Sequence, residues 1–291
     1  MLENRIEEYG VFPVLGPSFR QEVAAYIEQR HLEDGGYFFA RVLPSCGGDT
    51  YFAVKSLAIL GMEAARPADI AGFFFEQVEA GELASVPGLF YAAEVLNGLG
   101  RITGEFKDYA RPRIEAFRNK AGGFGAYKRV DVAVTSELEN TCRAVRVLGI
   151  IGADYDRDKV KRFTGMFLRP DGGYGGKGYS TLPSTFYATE IYKLLGVGME
   201  KPEATKAYLR KMEDIWRLAY LENVYWLVAA LANLGERTAR PQDATEFVMM
   251  CQRSNGGFAR ATVMGIPTLE YTFYALSILK ETGALGEQVR Q

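Results

Sequence analysis

The chain runs to 291 residues, is 48% hydrophobic and carries a formal charge of −2. That length buries a large core without disulfides or metal support, and the charge gives no support to binding nucleic acid or an anionic membrane through net charge, leaving only a local basic patch open. No stretch approaches the roughly 20 apolar residues of a transmembrane segment, and the opening Met1-Leu2-Glu3-Asn4 lacks the apolar core of a signal peptide, so a cytoplasmic location is expected.

Taken in order, the chain repeats a pattern of turn, helix and glycine stop. Gly35-Gly36-Tyr37 precedes an apolar helix closing at Leu60-Gly61, and a second apolar helix closes at Leu99-Gly100. Gly122-Gly123-Phe124 leads to a closure at Leu148-Gly149, and Gly172-Gly173-Tyr174 to one at Leu195-Gly196. A fifth helix closes at Leu234-Gly235, and Gly256-Gly257-Phe258 leads to the last, at Leu279-Lys280. Glycine is the usual residue after a helix because it takes the left-handed conformation without strain. Repeats at about this period mark stacked or ring architectures.

The remaining punctuation keeps the same register. Pro67, Pro202 and Pro241 each lie six residues after a closing glycine, where a first-turn proline opens a helix. Pro87, Pro183 and Pro267 each lie thirteen before the closing position, and the next register position holds Asp49, Gly88, Glu137, Ser184, Asn223 and Thr268, mostly residues that cap helix N-termini. Segments such as Tyr225-Trp226-Leu227-Val228-Ala229-Ala230-Leu231 are apolar all round and belong inside; the helix from Pro202 to Arg210 is amphipathic and belongs outside. Gly72-Phe73-Phe74-Phe75 is either an exposed apolar surface on an outer helix or packing within its own unit. The expected fold is all-α, an (α/α)6 toroid forming a single domain over 1–291, with repeats ending near 61, 100, 149, 196, 235 and 280. An open solenoid is the rival, and it usually carries polar end repeats.

Cys46, Cys142 and Cys251 read as buried free thiols. The only histidine, His31, excludes histidine clusters at metal-ligand spacing and any Ser-His-Asp triad away from it; beside the first glycine turn it reads as structural.

Six such units, clearest at Arg169-Pro170-Asp171-Gly172-Gly173-Tyr174 and Cys251-Gln252-Arg253-Ser254-Asn255-Gly256-Gly257-Phe258, resemble the prenyltransferase and squalene-cyclase repeat superfamily over nearly the whole chain. The resemblance implies a toroid that binds an isoprenoid chain in an aromatic-lined bore, and the zinc prenyltransferases add a separate helical partner subunit. Those enzymes hold zinc with an Asp-x-Cys pair at the fifth inner helix and a histidine at the sixth. Here the fifth reads Leu221-Glu222-Asn223-Val224-Tyr225, and Tyr271 stands where the family has histidine. Zinc needs three protein ligands even at an open site, so zinc is not expected, and a transferase would use Mg²⁺ or no metal.

Where the copies differ, candidate site residues emerge. Ten and nine residues before the closing position, four units carry aromatic pairs: Tyr51-Phe52, Phe90-Tyr91, Phe186-Tyr187 and Tyr225-Trp226. With Tyr271 they form the candidate isoprenoid pocket, whose π faces would stabilise carbocations by about 2 kcal/mol when desolvated; the alternative is plain ring packing. Units three and six hold Glu139-Asn140 and Glu270-Tyr271 at that register, which sets two acids across a six-fold ring. Glu137-Leu138-Glu139-Asn140-Thr141-Cys142 loosely resembles the Asp-x-Asp-Asp-Thr-Ala run of class II terpene cyclases. That resemblance makes Glu139 the protonating acid, with Glu137, Asn140 and Glu270 beside it; the alternative is that Glu139 completes a capping box with Ser136.

Cations recur after the glycine turns: Arg41, Lys128, Arg129, Lys177, Arg260, and Arg217 in unit five. This is the end where the superfamily binds diphosphate, and arginine and lysine clamps suit its oxygens. The leading reading is a zinc-independent enzyme that binds a polyprenyl diphosphate or other polyprenyl lipid. Alternatives are a cyclase protonating through Glu139, a non-catalytic toroid binding a lipid or helical partner, and an inverting glycosidase using Glu139 and Glu270.

Overall fold

Among the described residues, six helices lie inside six others, and five of the inner six are apolar on most sides. The computed structural model describes residues 14–125, 136–176, 178–214 and 220–286, and among these outer and inner helices alternate. They are α1 (Pro17–Glu28) and α2 (Gly47–Ile59), α3 (Pro67–Glu79) and α4 (Val86–Gly98), then α5 (Gly104–Glu115) and α6 (Ser136–Ile151). The second half repeats the scheme with α7 (Arg157–Gly165) and α8 (Leu182–Leu195), α9 (Pro202–Glu213) and α10 (Leu221–Asn233), and α11 (Pro241–Cys251) and α12 (Leu269–Glu281). Each inner helix packs on the next and α12 packs on α2, so the ring closes. Each outer helix packs on the inner helix that follows it. The all-α toroid is thus observed, and the open solenoid is not.

Outer helices supply the wall of the core. Pro67, Pro202 and Pro241 open α3, α9 and α11 as first-turn prolines. Phe73 and Phe74 are buried and Phe75 packs on the core, so the phenylalanine run of α3 is internal packing.

Left-handed glycines close five inner helices at Gly61, Gly100, Gly152, Gly196 and Gly235, with φ between 64° and 75°, and Gly283 follows α12 at φ 81°. The closures expected at Leu148-Gly149 and Leu279-Lys280 therefore fall one turn early. Gly149 lies inside α6, which continues through the buried Ile151; a glycine within a helix costs about 1 kcal/mol, which burial of the next turn offsets. The capping register shifts as well. Ser85, Thr181 and Thr268 accept from the backbone N–H of Gly88, Ser184 and Tyr271, whereas Asp49, Gly88, Glu137, Ser184 and Asn223 lie inside their helices.

A threonine ties each Gly-Gly-aromatic turn to the inner helix after it. The backbone N–H groups of Tyr37, Phe124 and Tyr174 donate to Thr50, Thr141 and Thr185 Oγ1 at 2.9 Å, and that of Phe258 to Thr272 Oγ1 at 3.3 Å. Each threonine lies eleven residues before a left-handed glycine, which confirms the shifted register. The last turn also closes the outer ring. Gly256 has φ 87°, and a Cβ there would lie 2.7 Å from the carbonyl oxygen of Glu22 on α1, so only glycine lets the turn dock.

His31 packs edge-on against Tyr37 with ring centroids 4.9 Å apart, and burial lowers its pKa from 6.5, consistent with a structural imidazole. The three thiols are free, but Cys46 is exposed, unlike Cys142 and Cys251, because it stands before α2 at the end of a surface loop.

Candidate functional site

In the corrected register the aromatic layer extends to a fifth unit. Tyr51-Phe52, Phe90-Tyr91, Phe186-Tyr187, Tyr225-Trp226 and Phe273-Tyr274 occupy equivalent positions, and the odd unit is the third, with Cys142-Arg143. Phe273 and Tyr274 are the pair that the sequence reading missed. Glu139 and Glu270 therefore do not replace aromatics; they stand one helical turn nearer the inner-helix N-termini. The residues of this layer, Trp226 excepted, surround the bore, where the rings touch: Tyr51 and Phe90 centroids are 5.2 Å apart, Phe52 and Phe273 5.5 Å, and Tyr225 stacks on Tyr274 at 4.6 Å. The cavity left between them is about 70 Å³, well below the roughly 300–1,000 Å³ of ligand pockets. Trp226 lines the mouth above this layer, and Tyr271 is half-buried beside Tyr274, with centroids 6.4 Å apart.

The mouth itself is a cavity of about 400 Å³ that brings together Glu139, Arg143, Tyr187, Trp226, Glu270 and Tyr274. Glu139 is committed: Arg143 Nη2 lies 2.7 Å from its Oε1, and the Tyr187 hydroxyl donates to the same oxygen at 2.7 Å. Burial alone would lower the Arg143 pKa, but Glu139 and then Tyr91 outweigh it and raise it above its ordinary value. The guanidinium also lies 5.7 Å over Phe90 and 5.6 Å over Tyr91. Glu270 accepts from the Tyr274 hydroxyl at 2.8 Å. Burial raises its carboxyl above 4.5 despite that bond, with Glu222 adding to the rise.

Glu137 and Asn140 are buried but do not line this cavity. Glu137 turns to the Gly122-Gly123 turn of the third unit, where Asn119 Nδ2 donates to it at 3.4 Å, and desolvation raises its pKa to about 7. Among the cations expected to hold diphosphate, Lys128, Arg129, Lys177 and Arg217 lie outside the described residues. Arg41 is exposed. Arg260 is occupied: its Nη2 and Nε lie 2.5 and 2.7 Å from Glu222 Oε1, and its guanidinium stacks 3.8 Å from the Tyr220 ring centroid.

The donor set for zinc does not fit. Glu222 is taken by Arg260, and among the described residues no three His, Cys, Asp or Glu side chains converge.

On the other side of the aromatic layer the bore holds charges that the sequence reading passed over. Glu94 accepts Lys55 at 2.9 Å and Arg146 at 3.0 Å, and Arg146 reaches Glu190 at 2.6 Å. Burial would raise Glu94, yet the two cations hold its carboxyl below 4.5. Lys55, Arg146 and Glu190 line a second opening of about 300 Å³ at the C-terminal ends of the inner helices. The missed signal was a charge in the middle of each of four inner helices, at Lys55, Glu94, Arg146 and Glu190.

Comparison with known proteins agrees with this architecture. The chain resembles the geranylgeranyltransferase-I of Candida albicans, solved in complex with GGPP, at TM-score 0.69 and 15% identity, covering 91% of each chain. It also resembles a type II terpene cyclase from Scytonema, solved with geranylgeranyl dihydroxybenzoate, at TM-score 0.60 and 10% identity, covering 92% of this chain and 97% of that one. A protein from Actinoplanes matches at TM-score 0.59 and 16% identity, with 91% and 99% covered. No curated protein sequence matches the chain. The family described as prenyltransferase alpha-alpha toroid domain matches residues 14–82, 73–215 and 211–291. Repeat, ring and sequence match together place the chain in the prenyltransferase alpha-alpha toroid family.

Proposed function

We propose that the protein is an isoprenoid-binding enzyme of the prenyltransferase and terpene-cyclase type, working without zinc, whose bore receives the hydrocarbon chain between its aromatic rings. The observation that carries this reading is the aromatic layer: four of six units place a pair of rings, and a fifth places Tyr225, around one cavity beneath a mouth that holds carboxyl groups. A cavity of about 70 Å³ does not accommodate a polyprenyl chain, so binding turns the rings apart. The solved toroids that bind geranylgeranyl compounds support the substrate class.

Glu270, and not Glu139, is the proton donor in this reading. Glu139 is engaged by Arg143 and Tyr187, whereas Glu270 has the Tyr274 hydroxyl as its hydrogen-bond partner and desolvation shifts its carboxyl toward the neutral acid. Proton transfer from Glu270 to a terminal alkene carbon leaves a carboxylate and a tertiary carbocation, which the ring faces stabilise. Tyr274 donates a hydrogen bond to the carboxylate as it forms. A diphosphate headgroup at this mouth meets two described cations that already have carboxylate partners, Arg143 and Arg260, and binds by displacing one of them.

Thermal-shift and product measurements with geranylgeranyl diphosphate and with geranylgeraniol test this. Stabilisation by either supports an isoprenoid site, and greater stabilisation by the diphosphate supports the headgroup assignment. No shift with any polyprenyl compound contradicts the reading.

A further inference from the structure

One helical turn beyond the aromatic layer lies a second, polar layer. Residues three and four apart share a helix face, and the residue four after the first ring of each pair and three after the second is Lys55 on α2, Glu94 on α4 and Glu190 on α8. Arg146 holds that place on α6, below Cys142-Arg143, while α10 and α12 offer only Ala229 and Ser277. Both small side chains line the second opening, at the gap they leave in the layer.

Charges alternate around this layer because the inner helices pack in the order α2, α4, α6, α8, α10, α12. Glu94 therefore has a cation on each side, Lys55 at 2.9 Å and Arg146 at 3.0 Å. Glu190 has one on a single side: Arg146 Nη2 meets its Oε2 at 2.6 Å, and its neighbour on the other side is Ala229. Its charge is thus only partly compensated.

Glu190 is the only carboxylate among the described residues that line the aromatic cavity, and it lines the second opening as well. Burial, and next the Glu190 charge, raise the pKa of Tyr225 above its ordinary value. The Cys142 thiol, another wall of the cavity, is pushed up to about 12 by burial and then by Glu190. The carboxylate's field therefore reaches the space between the rings. Keeping ions at this level costs desolvation that apolar side chains would not.

We infer that Glu190 is the counter-charge for a carbocation in the bore and the base that ends the reaction. This rests on the isoprenoid reading and supplies its last step. Protonation by Glu270 puts the charge on the chain at the mouth, and attack by successive alkenes of the same chain forms C–C bonds and moves the charge inward. A Glu190 oxygen then takes a proton from the carbon beside the cation. That C–H electron pair becomes a C=C bond, so the product leaves as a neutral alkene, isomeric with the substrate, and Glu190 is left as the acid. Lys193, Lys280 and Glu281 line the second opening and are exposed, so Glu190 returns its proton to water on that side.

Two ligands test the charge without turnover: geranylgeraniol, which is neutral, and an aza analogue in which a tertiary amine, protonated at neutral pH, replaces an internal branched carbon. Glu190→Gln should bind the aza analogue about tenfold more weakly than the wild type does and geranylgeraniol equally well. The glutamine keeps an oxygen acceptor for Arg146, and the Tm of the ligand-free variant reads any cost to the fold. In turnover, Glu190→Gln should form the alkene about 10²–10⁴-fold more slowly and divert product to an alcohol that carries oxygen from labelled water. Equal affinity of wild type and variant for the aza analogue, or an unchanged rate and product, overturns the inference alone. A variant that weakens equally for both ligands shows a structural role and overturns it too. A wild type that binds neither ligand contradicts the isoprenoid reading, and this inference with it.

Discussion

Arg143 Nη2 lies 2.7 Å from Glu139 Oε1, one turn apart on α6, and this pair separates the roles of the two carboxyls at the mouth. Loss of a general acid costs about 10²–10⁴-fold in rate. Glu270→Gln should lower kcat by that much, and the wild-type rate should fall as pH rises through the elevated Glu270 pKa. Glu139→Gln should change kcat less than about tenfold. Equal losses in both variants would return Glu139 to the role of acid.

Stability should depend on pH through Glu137. Its pKa is raised by burial from 4.5 to about 7, so the folded state binds the proton more tightly than the unfolded state. The contribution is fully present below 4.5 and is lost as pH rises through about 7. Glu137→Gln should flatten this part of the Tm profile. A wild-type Tm that rises across the same window contradicts the assignment.

The threonine ties predict a local cost. Thr185→Val keeps side-chain shape but leaves the buried Tyr174 N–H without its 2.9 Å acceptor, a loss of about 1–3 kcal/mol. Urea denaturation of the variant measures it, and a change below about 0.5 kcal/mol would mean that the turn finds another acceptor.

Much of the fold was legible because the repeat writes it several times over. Gly61, Gly100, Gly196 and Gly235 marked helix ends correctly, and the outer-helix prolines marked starts. Two units misled for physical reasons. Gly149 is a glycine that burial keeps helical, and α12 lacks a glycine at position 280, so a fixed ruler slid by one turn. That slip placed Glu139 and Glu270 in the aromatic layer and hid Phe273 and Tyr274. The threonines at 50, 141, 185 and 272 carried the true register, but a threonine in an apolar helix has no meaning until its partner is seen across the turn. The pairing of Glu139 with Arg143 was visible as an i, i+4 spacing; the tie from Tyr187, 48 residues away, was not.

The buried charges below the aromatic layer should behave as a unit. Arg146→Met strands Glu190, at a side-chain exposure of 10%, and leaves Glu94 with Lys55 as its cation, and breaking such a buried pair costs about 3–5 kcal/mol. Adding Glu190→Gln to Arg146→Met should recover part of that loss. Chemical denaturation of the single and double variants reads the difference, and additive losses would show that the residues do not act together.

The central claim is that an isoprenoid chain lies among the rings of the inner helices. Photo-crosslinking with a diazirine-bearing geranylgeranyl diphosphate tests it most directly. Label should appear at or beside Phe186, Tyr187, Tyr225, Phe273 and Tyr274, and unlabelled geranylgeranyl diphosphate should compete it away. Labelling confined to outer helices, or labelling that no competitor reduces, would contradict the account.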